Sequence, residues 1–191
     1  MKTLLRPILY LLVAAVVSVG LLFGAEAVTD IAVEKQKNKT AREAFGGLLD
    51  ADQYEALNIG AYGEIDAAYR AKDADGGLLG YAVTASVKGY GGEMKVHVAL
   101  DAAGDRFLGI RIGENHETEN LGARVAEAAF TDQFRSLPAP AYLDGYTGLE
   151  RAAEPSQSVE AVTGATISSK AVVRAVNVAY AFIRDTQGVG T

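Results

Sequence analysis

The sequence predicts an α+β fold in which an antiparallel sheet carries helices on one face, preceded by one N-terminal transmembrane helix. Three patterns point there. Residues 7–25 are almost wholly apolar, residues 79–112 alternate with period two, and residues 168–185 repeat their apolar positions at helical spacing.

The apolar run 7–25 is interrupted only by Ser18 and glycines, and its length suits a hydrocarbon core of ~30 Å. The rival is a cleaved signal peptide, with Lys2 and Arg6 as its basic flank and Ala25-Glu26-Ala27 as a small-x-small cleavage site. The run is longer than the usual apolar region of such peptides, about 7–15 residues, which favours an uncleaved anchor over residues 1–27. Either reading puts the remainder outside the cytoplasm, on a single-pass topology if the anchor is kept. Residues 28–49 are rich in helix formers with a charged middle and no strong apolar stripe, and are expected to form a helical stalk broken at Gly46-Gly47. Residues 50–191 are expected to form the domain itself, with 50–71 as a short helix or loop.

Within the domain, Leu79, Tyr81 and Val83 alternate with smaller neighbours, and Met94, Val96, Val98 and Leu100 alternate with Lys95, His97 and Ala99. The Gly89-Tyr90-Gly91-Gly92 corner between these runs predicts a hairpin, and residues 107–112 a third strand. His97 falls on the polar side of its strand and is expected to face solvent. The polar stretch Glu117-Thr118-Glu119-Asn120-Leu121-Gly122 then opens a helix expected over 121–135, with Thr118 or Asn120 as its cap. Pro138 and Pro140 end it. A short strand or loop is expected at 142–149, an irregular connection at 151–158, and a last helix over 168–185 with Val172, Val173, Val176, Ala179, Tyr180 and Ile183 on one side.

Composition removes several functions. A net charge of −6 with no basic stripe argues against nucleic acid. The absence of cysteine removes iron–sulfur clusters, thiolate zinc sites and thiol catalysis, and His97 and His116 offer no metal-ligand spacing. No metal is expected. Redox chemistry in such a chain needs an organic cofactor. The feature that could hold one is the corner Thr163-Gly164-Ala165-Thr166 between a β-prone run and the last helix. Glycine permits the bend, and a hydroxyl at a helix N-terminus sits where free amides and the helix dipole attract anions. Ordinary helix capping is the plainer account of the same residues.

The anchor, the ETENLG loop at 117–122 and the EAVTGATISS stretch at 160–169 together resemble the flavin-binding subunits of two membrane machines. These are the G subunit of the Rnf electron-transport complex and the C subunit of the sodium-translocating NADH:quinone oxidoreductase. The resemblance covers nearly the whole chain, and the short chain favours the Rnf subunit. It implies FMN held covalently, its phosphate esterified to Thr166 of the motif Thr163, Gly164, Ala165, Thr166. It also implies that Thr118, Leu121 and Gly122, in the loop opened by Glu117, line the isoalloxazine ring. With the phosphate at Thr166, the amides and hydroxyls of Ser168 and Ser169 are placed to meet its oxygens. No base stands near Thr166 in sequence, so the resemblance implies a separate flavin transferase as well as other subunits of the complex as partners, with the bilayer as a third. The implied role is electron relay without an acid or base catalyst.

The chain departs from the family pattern in two places: Glu160 stands where an aspartate is common, and Glu119-Asn120 replaces Pro-Gly. The alternatives are a stand-alone extracytoplasmic flavin carrier, the quinone-reductase C subunit, and a cofactor-free adaptor whose corner is only a helix cap.

Overall fold

The computed structural model describes residues 36–60, 62–143 and 157–189. The expected anchor over 1–27 lies outside them. Among the described residues no helix is long and apolar enough to cross a membrane. A helix, α1, occupies 36–45. Six strands follow in an antiparallel meander: β1 (Gln53–Ala56), β2 (Ile65–Lys72), β3 (Leu78–Lys88), β4 (Glu93–Asp101), β5 (Arg106–Asn115) and β6 (Leu137–Pro138), in the spatial order β1-β2-β3-β4-β5-β6. A two-stranded parallel pair, β7 (Tyr142–Leu143) with β8 (Ser158–Val159), leads into the long last helix. Helix α2 is the short Ala128–Thr131, and the last helix, α3, is Thr166–Gln187.

Alternation in β3 and β4 works as period two requires. Tyr81, Val83, Ala85 and Val87 point to one side with Met94, Val96, Val98 and Leu100, and α3 covers them with Val172, Val173, Val176, Ala179, Phe182 and Ile183. The residues between them form a second packed face. Ala82 and Ala99 join Tyr54, Tyr69 and Ala71 beneath Ala41, Phe45 and Leu49. The sheet is therefore covered on both sides. Small side chains on β3 and β4 look polar-facing by pattern, yet they leave the space that a helix carrying one large ring needs.

Four sequence expectations change on this account. The compact unit begins at Ala41, so residues 41–49, expected as stalk, belong to the fold. Residues 50–71, expected as helix or loop, supply β1 and most of β2. The helix expected over 121–135 is broken into the 3-10 turn Gly122–Ala126, α2, and the 3-10 turn Asp132–Phe134, because Glu127 is extended at φ −71°, ψ 148°. Neither Thr118 nor Asn120 caps it; the position before the first turn is Leu121, with no side-chain cap bond. Val125, Phe130 and Phe134 are buried, which explains why the sequence shows helical spacing there.

His97 is the fourth. Its ring lies 5.5 Å from that of Phe45, edge-on, and its Nδ1 is 3.0 Å from Thr84 Oγ1. Burial, followed by the positive Arg111 and Lys95, pushes its pKa below the ordinary 6.5. The unfolded chain then binds the proton more readily than the folded one. His97 therefore favours folding above pH 6.5 and withdraws that support progressively as pH falls from there through the lower folded value. The urea midpoint is expected to fall between pH 7.5 and 5.5, and His97→Asn to flatten the fall; an unchanged slope in the variant would discard this account.

Arg111, on the same side, donates to the carbonyls that end α1: Glu43 O at 3.2 Å, Ala44 O at 3.0 Å, and Gly46 O. A guanidinium is suited to such a cluster of orphan carbonyls.

Candidate functional site

The corner before α3 is built by its own hydroxyls and by one glycine. Gly164 has φ +81°, a left-handed conformation that an L side chain resists. Ser169, fully buried, donates to Ala165 O at 3.0 Å and accepts from Val162 N at 3.1 Å, so the turn is stapled from inside the helix. Thr166 is the first residue of α3, and Ala165 before it makes no side-chain cap. The amides of the first turn have no intrahelical carbonyl to meet.

Across from this corner stands the 117–122 loop. Asn120 has φ +61°, a conformation that asparagine tolerates better than most residues. This explains how it replaces the glycine of the family pattern. Thr118 O accepts from Leu121 N at 3.2 Å and Ala123 N at 3.1 Å, which curls the loop toward the helix end. The Leu121 side chain then reaches the corner, its Cδ2 3.2 Å from where a Cβ on Gly164 would stand.

One carboxylate joins the pieces. Glu117 Oε1 accepts from Tyr90 N at 2.8 Å and Gly91 N at 3.3 Å, at the tip of the β3–β4 hairpin, while Oε2 accepts from Ser168 Oγ at 2.9 Å. Glycines wall the slot it occupies. A Cβ on Gly89 would strike Oε1, and one on Gly122 would strike Oε2 and lie 2.9 Å from Ser168 Oγ. Gly122→Ala is therefore expected to cost about 1–3 kcal/mol by overpacking. In a cycle with Glu117→Ala the two losses should be clearly non-additive, since the second change removes the atom struck. Additive urea-denaturation energies would show that the slot is not shared.

These parts enclose a cleft of about 410 Å³ lined by Tyr90, Glu117, Thr118, Leu121, Gly122 and the stretch 164–168. The size lies in the range of small-molecule sites, roughly 300–1,000 Å³. Its chemistry is two-sided. At one end are the α3 N-terminus and the Thr166 hydroxyl, suited to an anion; around it stand the exposed apolar side chains of Tyr90, Leu121 and Ile167, suited to a flat ring. Among the described residues no acidic or histidine cluster could hold a metal.

The structure thus brings Glu117, Thr118, Leu121, Gly122, Gly164, Ala165, Thr166 and Ser168 to one cleft. It places two expected residues elsewhere. Ser169 is committed to the interior of the corner, and Thr163 faces a separate shallow depression with Gln133 and Glu160. There Gln133 clasps the Glu160 backbone, its Oε1 accepting from Glu160 N at 2.7 Å. Two lining residues, Tyr90 and Ile167, are not among those the sequence points to as ring contacts. The signal for Tyr90 is an aromatic flanked by glycines at a hairpin tip.

The FMN-binding domain family matches residues 89–181, which contain every residue of the cleft. The G subunit of the proton-translocating ferredoxin:NAD(+) oxidoreductase complex of Clostridium ljungdahlii is 32% identical over 149 residues, covering 76% of this chain and 72% of that protein. The chain belongs to this G-subunit family. The G subunit of the Na(+)-translocating complex of Acetobacterium woodii is 38% identical over 105 residues, 54% of this chain, and the match spans about half (49%) of that relative's length. In fold, the chain is similar to NqrC of Shewanella oneidensis, with a TM-score of 0.51, 16% identity, and coverage of 75% of this chain and 73% of that one. That likeness agrees with the α+β architecture and the antiparallel sheet of this G-subunit family member.

Proposed function

We propose that this G-subunit family member relays electrons through FMN esterified to Thr166, within a Rnf-type ferredoxin:NAD oxidoreductase coupled to ion translocation. Residues 1–27 anchor it in the cell membrane with the domain extracytoplasmic. The observation that supports the reading best is the cleft itself, where a hydroxyl at a helix N-terminus and an apolar rim from a second motif share one space. Bound FMN supplies electron transfer; the chain supplies its position and surroundings.

Each residue has a task in that division. Thr166 Oγ1 would form the P–O bond to the flavin phosphate, its proton passing to solvent. In the same step the phosphoanhydride of a flavin dinucleotide, brought by a separate flavin transferase, would break and its nucleoside monophosphate would leave. The first-turn amides of α3 would meet the remaining phosphate oxygens, while the Ser168 hydroxyl stays donated to Glu117 Oε2. Gly164 lets the chain bend without a side chain intruding on Leu121. Leu121 and Ile167, which line the cleft, would cover apolar ring surface and keep water from it, and Thr118 would offer a hydroxyl to its edge. The other subunits provide donor and acceptor.

The test is intact mass of the full chain, expressed with and without a flavin transferase. An FMN-sized increment on the peptide carrying Thr166 is the expected result. No increment, or one mapped to another residue, would overturn the attachment.

A further inference from the structure

Tyr90 has an unusual combination of a fixed backbone and an uncommitted ring. Its amide and that of Gly91 both donate to Glu117, so the hairpin tip is tied to the loop and, through Ser168, to the first turn of α3. A Cβ on Gly91 would strike His116 O, so the tip also lies flush on the loop backbone. Yet the Tyr90 residue is 70% exposed, and its ring and hydroxyl make no hydrogen bond or ring contact to the described residues. Anchoring a large aromatic over a cleft costs the exposure of its apolar face unless something covers that face. The cleft it borders holds Thr166, the attachment point in the proposed function.

We propose that Tyr90 stacks on the isoalloxazine ring of the flavin tethered at Thr166, as an aromatic wall of the site, and that Glu117 is the positioning residue that holds it there. The inference rests on the proposed FMN attachment. Leu121 and Ile167 are apolar but cannot stack, so Tyr90 is the aromatic residue lining the cleft. A ring held in contact with flavin has a spectroscopic consequence that an exposed aromatic lacks. On illumination the Tyr90 phenol gives one electron to the excited ring and recovers it on recombination, which quenches emission with no net chemistry.

The experiment uses the full chain in detergent, flavinylated by co-expression, with intact mass confirming FMN on every sample. Emission lifetime is compared before and after denaturation. The native wild type is expected to be quenched several-fold relative to the denatured sample. Tyr90→Phe keeps a stacking ring but removes the readily oxidised phenol, so most of the quenching should be relieved while the shape of the visible band stays. Tyr90→Leu should relieve quenching and alter the band as well, and Tyr90→Trp should restore or deepen it. Glu117→Gln keeps an acceptor for the two amides and should remain quenched; Glu117→Ala should lengthen the lifetime toward that of Tyr90→Leu. A wild type unquenched when native, or lifetimes indifferent to Tyr90→Phe and Tyr90→Leu, would overturn the inference while leaving the attachment intact. In that case the exposed ring serves a docking protein. Absence of the mass increment in the wild type would instead overturn the attachment.

Discussion

Thr166→Val is expected to abolish the FMN-sized mass increment and the flavin fluorescence that survives denaturation. Valine keeps the branched shape and the backbone amides of the α3 N-terminus, so the anion site and the helix persist. Only the nucleophilic oxygen is lost. The prediction is all-or-none because Ser168, also in the cleft, is oriented to donate to Glu117 Oε2 at 2.9 Å and is 1% exposed. Thr166→Ser, which retains the oxygen, is expected to recover attachment at least in part. In-gel fluorescence of the denatured protein reads both variants. A band of wild-type intensity in Thr166→Val would transfer the attachment to another hydroxyl.

Phe45→Ala is expected to cost about 3–5 kcal/mol of folding stability, the range for emptying a large aromatic site. Phe45 is fully buried and sits among three rings, stacked on Tyr54 at 6.2 Å, edge-on to Tyr69 at 6.3 Å and edge-on to His97 at 5.5 Å. The other buried sheet residues on this face, Ala71, Ala82 and Ala99, are too small to fill the gap. The cleft is built on the other face of the sheet, against α3, so protein that still folds should carry FMN normally. Urea unfolding monitored by far-UV signal gives the number. A loss below about 1 kcal/mol would mean that the segment 41–45 is not seated on the sheet in solution.

Sequence pattern carried the centre of this fold and missed its edges for one physical reason. Alternation in β3 and β4 is strong because one face meets the valines of α3, and α3 itself shows a full apolar stripe. The second face uses buried Ala82, Thr84 and Ala99 with half-buried His97 beside them, residues that by type could face water. Their burial depends on a helix elsewhere in the chain, which no local window contains. The same lack hides β1, whose exposed-buried-exposed pattern turns on the single residue Tyr54. The 121–135 stretch misled in the opposite sense, since buried Val125, Phe130 and Phe134 imitate a helical stripe although Glu127 interrupts the helix.

The candidate site was more legible than the fold around it. The hydroxyls and glycine of 163–166 read by themselves as an anion site or a plain helix cap, and the family resemblance ties them to the loop at 117–122; the structure brings most of both to one cleft. What stayed hidden was orientation. Ser168 and Ser169 are adjacent and chemically alike, but on a helix they point roughly 100° apart, so one faces Glu117 and the other staples the turn. Glu117 is expected to open the ring-lining loop, but that it ties the hairpin tip to α3 is visible only in its glycine-walled slot.

That slot also sets a timetable for the chain. A single carboxylate gathers the β3–β4 tip, the loop after β5 and the first turn of α3, three segments far apart along the polypeptide. Until residues 158–187 have been made and docked, Thr166 does not face the 117–122 loop across a cleft. On the proposed attachment, a half-synthesised or misdocked molecule would offer a maturation enzyme only a bare peptide, and flavin loading would double as a report that the domain has finished folding.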